Sequence, residues 1–431
     1  MTFVRDCSCI SHTSVENISV EDHYDTVSHH YLTNEPAACS LSETPPNDDM
    51  TVYSTDISHY QLLSELGKGF HDLSVVCLAR HRPTGNLVAV KRTNLDNCTE
   101  EQLGVLQNEV LQTQLFHHPN ILTSQIVFTS SSKLWVISPL MAYGSAECLV
   151  KTYFSDGMSE SLIAFILYGV LKGLDYLHRM GYIHRSVKAS HILLSGDGRV
   201  YLSGLHSLYS MVRDGKRSKV VYDVPEQSST VLPWLSPELL RQDLHGYDVK
   251  SDIYSLGITA CELASGRVPF QDMHPTLMLL QKLKGSHCCL LDIHPFPLEG
   301  LGLKVSRSGV DSGIGESVAT SSIMRTMTGE RPQSPAPKNF SVLFHNFVEL
   351  CLQHDPEKRP SARSLLTHAF LKQYNLLLGL QVKRHTKESF LNLLHPAVPL
   401  NNPRVLAKAA QTAAGQDSTT SPDGTAGAWE F

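Results

Sequence analysis

The chain has 431 residues, of which 42% are hydrophobic and 18% charged, and its formal net charge is −6. This mildly acidic balance, without a strongly basic tract, argues against a surface for nucleic acid or anionic membrane. The N-terminus has no apolar signal-like stretch and no run of about 18 apolar residues occurs, so we expect a soluble intracellular protein that spans no membrane. Ten cysteines in such a chain are expected to be reduced thiols.

The first part of the chain predicts a disordered segment followed by a β-rich lobe. Residues 1–57 are polar and show no sustained hydrophobic period. From Tyr60 onwards, short β-rich runs alternate with turn signals such as RPTGN. A helical pattern at 100–115 and further strands at about 120–138 follow.

The second part of the chain predicts a helical lobe. Beyond Gly144 the pattern is helical, with Ser159 as a candidate N-cap and Gly181 at the matching C′ position. Residues 305–338 are rich in Ser, Gly and Pro, which predicts a disordered insertion, and residues 372–431 are predicted as a C-terminal tail. A strand-rich part followed by a helix-rich part predicts a bilobal α+β fold.

Two glycines between the first two strands predict a nucleotide loop. Gly67 and Gly69 precede Lys91 in VAVK, an order typical of a loop that cradles phosphates and a Lys that pairs with them. Asp72 takes the third glycine position, where a carboxylate and a Cβ should weaken the cradle. The candidate nucleotide-binding residues are Leu66, Gly67, Lys68, Gly69, Phe70, Asp72, Ser74 and Lys91.

Two ion pairs are predicted around this site. Glu109, on the helical pattern before an HPN turn, is a candidate partner for Lys91, although an isolated Glu is usually a solvated helix residue. Glu238 follows Ser236-Pro237, and Arg359 lies in HDPEKRP further along the chain. Glu238 and Arg359 are predicted to form a buried pair that anchors the segment preceding them.

The segment HRSVKASHILL at 184–194 has the spacing of a kinase catalytic loop, H-R-D-L-x-x-x-N. In that loop the Asp accepts the proton of the attacking hydroxyl and the Asn binds Mg²⁺. Here Ser186 replaces the Asp, His191 replaces the Asn, and Gly204 replaces the metal-binding Asp of D-F-G. Glycine offers no side-chain ligand and imidazole suits Mg²⁺ poorly. The catalytic base and both metal ligands are therefore absent.

Three histidines, at 184, 191 and 206, are predicted to lie near one cleft. A transition-metal site remains an alternative, but a structural His184 packing beneath the loop is the simpler interpretation, so we predict no metal.

In order, these motifs cover about residues 60–371 and resemble a protein kinase domain. The segments HRSVKASHILLS, VYLSGL, VLPWLSPELL and GYDVKSDIYSLGITACELASG, with a terminal Trp-Glu-Phe, are similar to the sterile-twenty-related adaptor (STRAD) pseudokinases, above all their beta branch. This resemblance implies a nucleotide-binding but catalytically inactive fold. The missing metal ligands add the expectation that ATP binds without Mg²⁺.

The resemblance also implies two protein partners and residence in cytoplasm and nucleus. One is a serine/threonine kinase of the liver kinase B-one type, which the adaptor holds active and relocates from nucleus to cytoplasm. The other is a helical-repeat scaffold of the mouse-protein-twenty-five family, which would receive the C-terminal Trp429, Glu430 and Phe431. Neither nucleic acid nor membrane is expected as a partner. The alternative is a weakly active kinase with an unconventional base such as Ser186 or His191.

Overall fold

The computed structural model describes residues 53–70, 72–225, 231–242, 244–284, 340–372 and 385–415. Most of the segment predicted as a disordered N-terminus, residues 1–52, lies outside these ranges, as does the whole predicted insertion at 305–338.

An antiparallel sheet of five strands forms the N-terminal lobe. Short apolar runs such as VVCLA and LVAVK build these strands because β-branched side chains pack well on both faces of a sheet. The strands are β1 (Tyr60–Gly69), β2 (Ser74–His81), β3 (Leu87–Asn94), β4 (Ile126–Ser130) and β5 (Lys133–Pro139), in the spatial order β1-β2-β3-β5-β4. The predicted β-rich lobe is confirmed.

The two faces of this sheet carry separate apolar clusters. Leu78 pairs with Ala89, and the next residues, Ala79 and Val88, also pair, so the two pairs point to opposite faces. Ala79 and Val88 pack with Trp135 on the outer face. Leu78 and Ala89 belong to a second cluster that includes residues of the other lobe. One face of the sheet therefore lines the cleft between the lobes.

Helix α1 (Glu100–Leu115) belongs to this lobe and begins at a capping box. The Thr99 hydroxyl accepts a hydrogen bond from the Gln102 amide, and the Gln102 side chain accepts one from the Thr99 amide. The helix covers the range that the sequence predicts. It also contacts the 3-10 turn Leu205–Ser207 of the other lobe.

Helices dominate the second lobe. They are α2 (Ala146–Tyr153), α3 (Glu160–Arg179), α4 (Pro237–Arg241), α5 (Lys250–Ser265), α6 (Pro275–Lys284), α7 (Val342–Cys351) and α8 (Ala362–Leu365). Short strands lie beside the cleft: β6 (Gly144–Ser145), β7 (Tyr182–Ile183), β8 (Ile192–Leu194), β9 (Val200–Leu202), β10 (Tyr209–Ser210), β11 (Val212–Arg213) and β12 (Lys216–Arg217). They pair as β6-β8-β9, β10-β7 and β11-β12.

Helix α3 runs through the core of this lobe. Ser159 caps it by accepting a hydrogen bond from the Leu162 amide, and Gly181 follows it with φ +85°, as the sequence predicts. The helix is long and apolar enough to cross a membrane, but 67% of its most apolar window is buried inside the protein. Burial on all sides is typical of a core helix.

Two more helices lie within the segment predicted as a tail: α9 (His385–Leu394) and α10 (Pro403–Gly415). Phe390 and Leu394 are buried in the core of the helical lobe, and α10 contacts β1. The folded part of the chain therefore extends beyond residue 371. The sequence analysis missed this because the helices are short and their burial depends on contacts with residues far away in the chain.

Candidate functional site

The structure brings together the two residues of the first predicted ion pair. Lys91 Nζ on β3 lies 3.1 Å from Glu109 Oε1 and 3.2 Å from Glu109 Oε2 on α1. Burial by itself would raise the pKa of Glu109, but the Lys91 ammonium opposes this and the pKa lies below its ordinary value. Glu109 is therefore ionised, and its contact with Lys91 joins helix α1 to the sheet.

The turn between β1 and β2, which we call the glycine loop, has the ring of its own Phe70 packed beneath it. Phe70 and Asp72, between β1 and β2, adopt left-handed φ values of +46° and +63°. Phe70 is only 4% exposed, and its ring centroid lies 5.9 Å from Lys91 Nζ. Gly67 pairs with Val76, and Val76 pairs with Lys91, which places the loop over the lysine.

The other loop residues predicted to bind nucleotide take different positions. Leu66 is buried in the cleft, whereas Lys68 and Asp72 are exposed. Ser74 Oγ is buried against Thr93 Oγ1 at 2.5 Å and so belongs to the sheet. Of the predicted residues, Leu66, Phe70 and Lys91 are the ones whose side chains meet in the cleft.

Asp252, at the start of α5, holds the loop that resembles a kinase catalytic loop. Its carboxylate accepts hydrogen bonds from the backbone amides of His184 and Arg185, both at 2.8 Å, and lies 2.8 Å from His178 Nε2. His184 Nε2 lies 2.9 Å from the Ser203 carbonyl and donates to it. Burial would raise the pKa of Asp252, but these donors keep it below its ordinary value.

Arg185 connects this loop to the segment that follows β9. It is held with φ +65° and is part-buried. Its Nε donates to the Ser207 carbonyl at 2.7 Å, and its Nη1 donates to Asp223 Oδ2 at 2.5 Å. The loop that carries Ser186 is thus fixed on both sides.

The three degenerate positions Ser186, His191 and Gly204 lie together. His191 Nδ1 donates to the Ser186 carbonyl at 2.8 Å. Gly204 has φ +81°, and a Cβ at this position would lie 2.5 Å from His191 Nδ1. The imidazole ring therefore fills the space that an Asp side chain at position 204 would need. Burial lowers the pKa of His191 well below its ordinary value, so the ring is neutral.

The three histidines of the cleft lie in a row, with His184 tilted against His191 and His206 edge-on to it. The ring centroids of His184 and His191 are 6.5 Å apart, and those of His191 and His206 are 5.7 Å apart. Burial lowers the pKa of His206 to about 4, and its Nδ1 has no hydrogen-bond partner among the described residues. Within the described part of the chain, no group of three His, Cys, Asp or Glu side chains is arranged to hold a metal ion.

Behind the Lys91–Glu109 pair lies a small cavity of about 40 Å³. Ser138, Ser203 and Gly204 are among its lining residues. A cavity of this size accommodates a few water molecules. Sites for drug-sized ligands are far larger, roughly 300–1,000 Å³.

A buried apolar cluster, of which the sequence analysis named only Leu66, extends from the glycine loop to the connection between the lobes. Its members, which we call the cleft cluster, are at most 7% exposed: Leu63, Leu66, Val76, Leu78, Ala89, Leu122, Met141 and Leu193. Alternation on β2 and β3 could have identified Val76 and Ala89, because every second residue shares a face. Leu193 lies in the helical lobe, close to His191 in the chain, whereas Val76 lies in the sheet lobe. Only the tertiary structure shows that Leu193 and Val76 belong to one cluster.

The second predicted ion pair, between Glu238 and Arg359, is bidentate. Arg359 Nη1 and Nη2 donate to the two Glu238 oxygens at 2.6 and 2.8 Å, and Arg359 is 1% exposed. Lys282 holds the same region, because its buried ammonium donates to the Pro233 and Leu235 carbonyls at 2.6 Å. Burial lowers the pKa of Lys282 to about 7.

Glu262 is a buried acid that the sequence analysis missed. Its Oε2 accepts a hydrogen bond from Trp234 Nε1 at 3.0 Å and from the Ala189 amide at 3.4 Å. Burial, reinforced by Glu147 and opposed in part by Lys188, raises its pKa to about 8. A Glu within an apolar helical run was the available signal. The predicted docking residues Trp429, Glu430 and Phe431 lie outside the described residues.

Comparison with known proteins supports the fold and names its relatives. Residues 60–371 match the family model described as the protein kinase domain. STE20-related kinase adapter protein beta of Homo sapiens is 57% identical over 392 residues, covering 91% of this chain and 92% of the relative. The protein of the same name from Mus musculus is 56% identical, with the same coverage.

An alpha relative is also similar. STE20-related kinase adapter protein alpha of Homo sapiens is 50% identical over 370 residues, covering 86% of this chain and 84% of the relative. Of these three relatives the beta proteins are the more similar, as the motifs predict. The geometry of the cleft and these identities lead to one conclusion: the chain has the protein kinase fold and belongs to the STE20-related kinase adapter family.

Proposed function

We propose that this protein is a catalytically inactive kinase-fold adaptor that binds a serine/threonine kinase and stabilises its active conformation. The observation that carries the proposal is the His191 ring, which fills the space beside Gly204 where a metal-binding carboxylate would stand. The pairs that hold the lobes and the loop remain, namely Lys91–Glu109 and Glu238–Arg359. A rigid scaffold without the metal site is suited to binding rather than to phosphoryl transfer.

The partner in this proposal is a kinase of the liver kinase B-one type, joined by a helical-repeat scaffold of the mouse-protein-twenty-five family. The relatives' names, which call them kinase adapter proteins, support a kinase as the partner. An adaptor can activate a kinase only through tighter binding to the active conformation. A shift from about 1:99 to 99:1 needs roughly 10⁴-fold preference for that conformation. The complex would reside in cytoplasm and nucleus.

The cleft has groups that suit ATP but not its magnesium ion. The cleft cluster is apolar, as the faces of an adenine ring require, and Lys91 offers a cation to the phosphates. Gly204 and neutral His191 offer no oxygen ligand to Mg²⁺. Bound ATP would supply contacts between the two lobes. We therefore propose binding of ATP without Mg²⁺ and without phosphoryl transfer.

Reconstitution with purified partners tests the adaptor role. The rate of peptide phosphorylation by the partner kinase is measured alone, with this protein, and with this protein and the scaffold. We expect about tenfold or greater activation in the full complex, which corresponds to roughly 1.4 kcal/mol. An unchanged rate at saturating adaptor would refute the proposal.

A single-turnover assay of this protein alone tests the alternative of a weak kinase. We expect no transfer of labelled phosphate from ATP, with or without Mg²⁺, and none from Ser186→Asp, because parts that act as a unit are non-additive. Lys91→Met serves as the control for contaminating kinases. Transfer by the unmodified protein that Lys91→Met abolishes would establish the weak kinase instead.

A further inference from the structure

Residues 396–409, which we call the hinge strap, cross from the helical lobe to the sheet lobe. Immediately before it, Phe390 of α9 packs on Phe165, with ring centroids 4.4 Å apart, and on Tyr143 at 6.2 Å. Its second half lies in α10, which contacts β1 of the other lobe. The strap therefore spans the connection between β5 and β6, which is the covalent link between the lobes.

The strap reaches the apolar end of the cleft. The Leu400 amide donates a hydrogen bond to the Ala142 carbonyl at 2.7 Å. The Leu400 and Leu406 side chains are half-buried and pack against the cleft cluster. Met141 and Leu193 of that cluster are fully buried by the protein's own residues. The chain's own leucines thus contact the apolar cluster that the proposed function assigns to the adenine ring.

The end of the cleft beside Lys91 is also filled, in this case by the Phe70 side chain. The Phe70 ring lies under the glycine loop, 5.9 Å from Lys91 Nζ and 6.4 Å from the His206 ring. A phosphate chain that reached Lys91 from beneath the loop would have to displace this ring. Phe70 is held there with a left-handed backbone, a conformation uncommon for a bulky residue.

We propose that the hinge strap and Phe70 close the cleft against adenine nucleotides, so that a docked strap and a bound nucleotide exclude each other. This inference rests on the proposed nucleotide binding and describes its regulation. Because the strap is covalently tethered, it competes with the nucleotide at an effective concentration of about millimolar. Weak contacts are therefore enough to keep it docked. The apparent dissociation constant of the nucleotide then rises by the inverse of the open fraction.

Neutral substitutions in the full-length chain test this inference. The double variant Leu400→Ser/Leu406→Ser removes the two contacts with the cleft cluster. The matched control Val398→Ser/Ala407→Ser changes two exposed positions of the same strap. Binding of a fluorescent ribose-labelled ATP is measured by anisotropy without Mg²⁺, and thermal unfolding verifies that each variant is folded.

We expect the Leu400→Ser/Leu406→Ser variant to bind the labelled ATP about fivefold or more tightly than the unmodified protein, with the control unchanged. Equal affinity for all three proteins would overturn the inference. Absence of binding by all three at millimolar nucleotide would also overturn it, because opening the strap would then expose no nucleotide site. Neither result bears on activation of the partner kinase, which is measured separately as the rate of peptide phosphorylation by that kinase.

Hydrogen exchange on the unmodified protein gives a second test that needs no variant. Saturating ATP should speed exchange of amides in residues 396–409, including the Leu400 amide, because its Ala142 acceptor contact is lost. Slower exchange would mean that the strap forms part of the nucleotide site, and unchanged exchange would mean that it does not move. Either of those results contradicts mutual exclusion.

Discussion

At the scale of single residues, the cleft is defined by substitutions that fit one another. His191 donates to the Ser186 carbonyl, and its ring lies against Gly204. The three residues therefore pack together around the His191 ring. One consequence is that a larger side chain at position 204 would meet the His191 ring.

We expect Gly204→Asp to destabilise the protein by about 2 kcal/mol or more, because its Cβ would lie 2.5 Å from His191 Nδ1. Gly215→Asp is the matched control: Gly215 has φ +73° but nothing within 4 Å of its Cβ, so it isolates the backbone cost. Adding His191→Asn should recover much of the loss. Urea unfolding measures all four proteins, and equal losses for the two single variants would contradict the steric explanation.

A second prediction concerns the protonated acid Glu262. Its pKa of about 8 exceeds the value near 4.3 expected in the unfolded chain, so the folded state holds a proton that the unfolded state releases. This contribution to stability is complete below about pH 4 and declines as the pH rises towards 8. Glu262→Gln keeps an acceptor for Trp234 Nε1 and should remove the decline, on the order of 1 kcal/mol per pH unit.

The measurement is urea unfolding at pH 5 and pH 7, with exposed Glu349→Gln as the control. We expect Glu262→Gln to gain stability relative to the unmodified protein at pH 7 and to gain less at pH 5. A pH dependence identical in all three proteins would show that Glu262 is ionised in the folded state.

At the scale of elements, charged side chains on two helices, α5 and α6, hold the loop of His184 and the residues that precede α4. Asp252 and Glu262 of α5 hold the loop of His184 and the side chain of Trp234. Lys282 of α6 donates to the carbonyls of residues 232, 233 and 235. The backbone at residues 232–235 is therefore fixed by buried side chains of these two helices.

Arg359→Met should destabilise the protein by about 3–5 kcal/mol, because it leaves Glu238 buried without its bidentate partner. Arg363→Met, at an exposed position of α8, is the control and should change stability by less than about 0.5 kcal/mol. The double variant Arg359→Met/Glu238→Gln should recover part of the loss. Thermal unfolding measures the loss of stability in each variant. A loss for Arg359→Met no larger than that for Arg363→Met would exclude the buried pair as an anchor.

At the scale of the whole molecule, the protein combines a closed kinase fold with a C-terminal region that returns to it. Helices α9 and α10 contact opposite lobes, so residues 385–415 tie the lobes together. The polar segment that follows, at 416–431, ends in two aromatic residues. Aromatic anchors are typical of interface hot spots.

We expect deletion of 429–431 to leave thermal stability and ATP binding unchanged while weakening capture of the helical-repeat scaffold about tenfold or more. Substitution of Glu430 by Gln is the control, because it keeps both aromatic side chains and the terminal carboxylate. Pull-down at low protein concentration measures capture. Equal recovery of the scaffold by the deleted and complete chains would exclude the tripeptide as an anchor.

The sequence by itself determined the bilobal fold, the cap of α3 at Ser159 and the degenerate positions at Ser186, His191 and Gly204. Such features are local: periodicity, capping residues and motif spacing are written in consecutive residues. Only the tertiary structure decided that the His191 ring fills the space beside Gly204, and that Leu400 lies at the cleft. These contacts join residues 13 and more than 200 positions apart, and no local pattern encodes which distant side chain fills a given space.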